Sequence, residues 1–234
     1  MPSELAPIVR QTLNQSVYAE MRRALINGSL HSGQVLGIVE LARNLGTSTM
    51  PVREALARLV AEKALEAMPN RSVRVPLISI ERLDDLLRAR LLIEGMAVEL
   101  AAANITDWEI QRLQTFMAEE PGEPESADEA SLHNQQFHFM VYQAARSDVL
   151  LTIIESLWLQ SGPILWEARR SFLSTQQLTG DKHHRELADA IARRDPVKAR
   201  SALAADIGRA FTLLRQREAD AAMGKSQSGR KRAK

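Results

Sequence analysis

The chain has 234 residues, 45% of them hydrophobic, enough for one large domain or two small ones. It contains no Cys, which excludes disulfides, thiolate metal sites and cysteine nucleophiles and fits a reducing, cytoplasmic compartment. The net charge of +1 hides an asymmetry: residues 1–76 carry +3, residues 77–224 carry −7, and the tail from Lys225 carries +5. A basic head and a basic tail around an acidic body suit a chain whose ends approach phosphates. No run approaches eighteen apolar residues, so no membrane span is predicted, and the N-terminus lacks a secretion-signal pattern.

In chain order, residues 1–15 show little pattern and are expected to be a flexible arm. Ser16 to Asn27 reads as a first helix, with Val17, Met21, Leu25 and Ile26 inward and Gly28 as its stop. Leu41, Ala42 and Leu45 recur at helical spacing before Gly46. Thr47, Ser48 and Thr49 offer hydroxyls for the next N-cap, and Pro51 is tolerable only in a first turn. Ala55, Leu56, Leu59 and Val60 form the buried stripe of that second helix, leaving Arg53 and Arg58 free to face a partner. Two short extended runs then flank Asn70-Arg71-Ser72. This order describes a helix-turn-helix followed by a β-wing, a device for reading DNA.

The run from Val17 to Val75 resembles the winged helix-turn-helix of the GntR family of bacterial transcription regulators. The matching residues are Gly28-Ser29-Leu30, Glu40-Leu41-Ala42, Leu45-Gly46, Ser48, Pro51-Val52-Arg53-Glu54-Ala55-Leu56, Leu59 and the wing from Pro69 to Val75. The resemblance implies operator contacts by Ser48, Thr49, Met50 and Arg53, supported by Arg43 and by Asn70 and Arg71 in the wing. The chain also departs from the pattern. Where relatives carry arginines it has Val39 and Thr49, so its operator is expected to differ from the usual one.

From Ile80 onward the periodicity is all helical. Ser79 caps a first long helix to about Ala103, and Thr106 caps a second, Asp107 to Glu119. A loop at 121–126 precedes a third, about Ala127 to Ala145. A fourth runs from Asp148 to Ser171 with a kink expected at Gly162-Pro163. A fifth covers about Thr179 to Arg193, and the last starts at Asp195-Pro196 and reaches about Met223. The predicted fold class is mainly α: a winged helix-turn-helix over 16–78, a bundle of six to seven helices over 79–222, and a basic disordered tail over 223–234.

This bundle resembles the ligand-binding domain of the FadR-like branch of the GntR family, in its FCD form. Arg90 and Glu94, Phe137-His138, Leu157-Trp158, His184-Arg185, Ala190-Ile191, Asp195 and Ala199 carry the resemblance. It implies a homodimer and a small carboxylate effector beside a divalent metal: zinc, nickel or manganese. The implied ligands are Asn134, His138, His184 and Asp206, positions where the family pattern has one Asp and three His. Two imidazoles and a carboxylate still suffice for a transition metal, and the Asn134 amide oxygen is a weaker fourth ligand. The alternative is a metal-free polar cavity in which His138, His184 and Asn134 bond the ligand directly. Arg90 is the candidate grip on the effector carboxylate, or else a structural partner of Glu94 one turn on. The expected coupling to the head runs through the junction from Pro76 to Ile80.

Two other classes compete: a metal-dependent enzyme and an architectural DNA binder. The chain has no His-Glu-x-x-His, no Gly-x-Ser-x-Gly and no phosphate-cradling Gly loop, which speaks against catalysis. The acidic body speaks against the second. The sequence therefore predicts a cytoplasmic, ligand-responsive regulator that binds double-stranded operator DNA and is not an enzyme.

Overall fold

The computed structural model describes residues 13–69, 72–118, 126–174 and 180–232. The head contains α1 (Leu13–Ile26), β1 (Val35–Leu36), α2 (Ile38–Asn44), α3 (Thr49–Ala61), β2 (Glu66–Ala67) and β3 (Val73–Arg74). Its three strands are antiparallel in the order β1-β3-β2, with Val35 opposite Arg74 and Glu66 opposite the same Arg74. Met21, Leu25, Val52, Leu56, Leu59 and Val75 are among the side chains that meet in its core.

Local chemistry accounts for the helix-turn-helix. Gly46 takes φ +62°, the left-handed conformation that ends α2. Thr47 N–H then reaches the Ala42 carbonyl at 2.9 Å and Gly46 N–H the Arg43 carbonyl at 3.2 Å, the paired bonds of a Schellman stop. Ser48 is the N-cap of α3, but its hydroxyl makes no capping bond, contrary to expectation. The third helical position, where a cap usually finds its donor, is Pro51, which has no N–H.

The body contains α4 (Ile80–Asn104), α5 (Asp107–Ala118), α6 (Ala127–Gln143), α7 (Asp148–Ser174), α8 (Gly180–Ala192) and α9 (Pro196–Arg232). Its caps form as the sequence predicts. Ser79 accepts from Arg82 N–H, while Thr106 and Glu109 bond reciprocally in a capping box. Helix α7 is unbroken through Pro163. By length and composition it is apolar enough to cross a membrane, which the count of consecutive apolar residues missed. It is instead a core helix: Ile154, Trp158, Leu159, Ile164, Ala168 and Phe172 are buried.

The boundaries differ from expectation at both ends. Helix α1 begins at Leu13, inside the predicted arm, whose first twelve residues lie outside those described. Helix α9 continues to Arg232, through the tail predicted to be disordered. Low apolar content removes packing but not helix propensity. No proline follows Pro196, and Ala, Met, Lys, Gln and Arg all favour helix.

Candidate nucleic-acid interface and metal centre

The head presents one polar edge. Ser48, Thr49, Met50 and Arg53 on α3 and Arg43 on α2 are all exposed. Met50 keeps 61% of its surface and Val39 74%, large values for apolar side chains with no core to enter. Arg43 and Arg53 take part in no ion pair among the described residues. Arg58, which the helical stripe also leaves outside, is not free. Its Nε donates to Glu62 at 3.0 Å and its guanidinium lies 3.7 Å from the Tyr18 ring centre. The Tyr18 hydroxyl bonds both Glu62 oxygens, and burial followed by that carboxylate pushes its pKa up to about 12. The predicted wing contacts Asn70 and Arg71 lie outside the described residues.

The body holds a buried polar cluster built from three helices. Asn134 and His138, one turn apart on α6, meet His184 from α8 and Asp206 from α9. His138 Nε2 stands 3.0 Å and His184 Nε2 3.8 Å from Asp206 Oδ2, and His184 Nε2 is 3.2 Å from Asn134 Oδ1. The donor atoms of His138, His184 and Asp206 all lie within 4.8 Å of one another. Burial, above all, lowers the His184 pKa to about 3, so its ring is neutral. Burial is the largest influence on Asp206 and opposes its ionisation, but the His138 contact together with the charge of the groups around it, Arg169 among them, outweighs burial and holds the carboxyl well below its usual range.

A second layer orients the first. The Tyr142 hydroxyl is 3.2 Å from His138 Nδ1 and donates a short bond to Glu94. Glu94 also accepts from Trp158 Nε1 at 3.3 Å and from Arg90 at 2.5 and 3.1 Å. Arg90 is therefore the structural partner of Glu94, 2% exposed, although its Nη1 has no hydrogen-bond partner. Arg169, from α7, faces the same cluster. Its pKa falls to about 10, chiefly through burial and against the pull of Asp206. Sequence reading missed Arg169 and Tyr142. Tyr142 sits one turn after His138, a spacing that would have found it.

A family profile for the FCD domain matches residues 85–209, and one for bacterial regulatory proteins of the gntR family matches residues 13–75. The chain belongs to the GntR family. Among its relatives in Escherichia coli K12, the transcriptional regulator McbR is 34% identical over 157 residues, 65% of this chain and 70% of McbR. The transcriptional repressor GlaR, also from that strain, is 30% identical over 196 residues, 78% and 86% of the two chains. The solved structure of E. coli McbR/YncC superposes with a TM-score of 0.78 at 29% identity, covering 89% of this chain and 99% of that one. This GntR-family chain is thus a transcriptional regulator with a DNA-binding head and an FCD domain, and not an enzyme.

The FCD resemblance implies a metal, and the donor set fits one. Tetrahedral bonds of about 2.1 Å put ligand atoms about 3.4 Å apart. The two separations from Asp206, 3.0 and 3.8 Å, bracket that value, and all three donor atoms lie within 4.8 Å of one another. Proton bookkeeping points the same way. Tyr142 has one hydroxyl proton and gives it to Glu94, so His138 Nδ1 is the donor in their contact. His138 Nε2 faces the Asp206 carboxylate at 3.0 Å, a contact that needs either a proton or a metal cation between the two atoms.

Proposed function

We propose that this regulator is a ligand-responsive repressor whose FCD domain binds a small carboxylate effector at a divalent metal held by His138, His184 and Asp206, with Asn134 as a weak fourth ligand. The observation that carries the reading is the buried His138–Asp206 contact, oriented from behind by Tyr142 and Glu94. Bound there, the metal would supply a Lewis-acid anchor for an effector carboxylate. The protein's own residues do the rest. Glu94 and Tyr142 hold His138 in one tautomer. Burial keeps His184 unprotonated. Arg169 and the unpartnered Nη1 of Arg90 supply positive charge for an anion.

On the DNA side, Ser48, Thr49, Met50, Arg53 and Arg43, with Asn70 and Arg71 in the wing, contact the operator. Arg53 sits at the groove edge, on phosphate or guanine. Two copies pair so that their recognition helices enter successive major grooves. The exposed stripe Leu92, Met96 and Leu100 on α4 supplies apolar surface for that pairing. The working compartment is the cytoplasm. Effector binding shifts the pose of the heads and so changes operator affinity.

Elemental analysis of protein purified without chelator tests the site. Unsubstituted protein should carry about one equivalent of zinc, nickel or manganese, and His138→Ala and Asp206→Ala should carry almost none. Metal-free wild type that is nonetheless stabilised by organic acids would instead favour the polar cavity in which the histidines bond the ligand directly.

A further inference from the structure

Helix α7 belongs to the body by sequence, yet it takes part in both cores. Leu159 is 1% exposed and sits in the hydrophobic core of the head, with Leu25, Leu56 and Leu59. Around it, α7 meets α1 at unusually close range. A Cβ on Gly162 would lie 2.2 Å from the Leu25 carbonyl oxygen and 2.7 Å from Ile26 Cα. A Cβ on Gly28 would lie 2.0 Å from Trp166 Cγ, and Gly28 takes φ +81°. His31, which the sequence left without a role, packs against Trp166 with ring centres 4.7 Å apart and planes tilted by 34°. Arg22 donates to Glu155 at 3.0 Å.

These contacts share one stripe. At about 100° per residue, Glu155, Leu159, Gly162 and Trp166 fall within roughly 60° of arc. Trp158 and Arg169, the α7 residues that face the polar cluster, lie on the adjoining face, about three full turns apart. One helix therefore touches the buried polar cluster, the candidate ligand chamber, with one edge and the head with the next. The linker is also pinned to the head. The Ser32 hydroxyl donates to the Pro76 carbonyl at 3.1 Å and accepts from Ile78 N–H at 3.0 Å.

We propose that α7 is the coupling element of this regulator: the Gly28–Trp166 and Gly162–Leu25 contacts dock the head on α7, and ligand binding at the polar cluster is passed to α1 by displacement of α7 at Trp158 and Arg169. The docking half stands on the contacts above. The transmission half rests on the chamber binding a ligand, as proposed for its function. Backbones this close behave as a bistable contact, closed or parted, because packed surfaces do not deform continuously. Any side chain at position 162 forces the parted state.

The full chain, free of native cysteine, allows a direct test with spin labels at Asn44→Cys on the head and Thr152→Cys on α7. The docked chain should give one narrow interspin distance. Gly162→Ala should lengthen it and at least double its width. Alanine is the better helix former, so the body should keep its melting temperature and its response to Zn²⁺. Trp166→Ala, which removes the surface Gly28 rests on, should broaden the distance less. Zn²⁺ added to the otherwise unsubstituted labelled chain should move the distance, and the same addition to His138→Ala should not. An unchanged distribution in Gly162→Ala overturns the docking. Stabilisation by Zn²⁺ with no movement of the distance overturns the transmission. A chain that Zn²⁺ does not stabilise overturns the metal reading and the transmission with it, and leaves the docking to be decided by Gly162→Ala alone.

Discussion

The head and the chamber use arginine in opposite ways. Arg53 and Arg43 stand exposed on the head and in no ion pair among the described residues, with their donors available to a partner. Arg90 is buried against Glu94, which also takes bonds from Tyr142 and Trp158. A reading surface must be unsatisfied by its own chain, since DNA supplies the acceptors. A buried polar cluster must be nearly satisfied, since an unpaired buried charge costs several kcal/mol. The few unsatisfied atoms that remain there, Arg90 Nη1 and His184 Nδ1, are thus the informative ones.

The contrast can be broken by substitution. Glu94→Ala should have the largest effect, because it strands Arg90 in the core. A loss of about 3–5 kcal/mol is expected in chemical denaturation, and a loss below about 1 kcal/mol would mean that Arg90 escapes to solvent. Next comes Arg53→Ala, which should weaken operator binding by about 1–3 kcal/mol in a mobility-shift titration at fixed salt and leave stability untouched. Unaltered affinity would remove Arg53 from the interface.

Acidification gives an effect of similar or smaller size, confined to the chamber. His184 takes up a proton with an ordinary pKa when unfolded but resists it until about pH 3 when folded. The unfolded state thus binds more protons between these values, and stability falls as pH drops through that window. Chelator-treated protein should lose about 2 kcal/mol between pH 6.5 and 5, and His184→Asn should flatten that slope. Asp206 adds to the loss only below its ordinary carboxylate range, because its folded pKa is also depressed. The smallest effect is expected for Arg58→Ala, since Glu62 and Tyr18 already occupy that guanidinium. Operator affinity should change by no more than about 0.5 kcal/mol, and a loss matching that of Arg53→Ala would refute its assignment as a structural pair.

Much of the head was legible because its signals are local. Gly46 requires a left-handed residue, Pro51 requires a first turn, and the apolar stripe of α3 repeats within two turns. The exception is the Ser48 cap, where the donor that the hydroxyl expects belongs to Pro51. In the body, helix limits and caps were readable for the same reason. The polar cluster was reachable only through resemblance, since His138, His184 and Asp206 come from three helices and no spacing rule links them. Arg169 was invisible, as an arginine on a helix reads as surface until its neighbours are known. Arg58 was misread for the same reason, because Tyr18 reaches it from another helix.

By itself the sequence determined the class of molecule: a reading head with Arg53 outward and a helical body. Those features follow from interactions between residues a few positions apart, which periodicity and capping chemistry record directly. The tertiary structure alone decided which charges are free, which are paired and which helix joins the two ends. Arg90 became a structural partner of Glu94 with only its Nη1 left unpaired, and Leu159 of the body became core of the head. Such choices turn on the desolvation of groups far apart in the chain, and only packing brings those groups together.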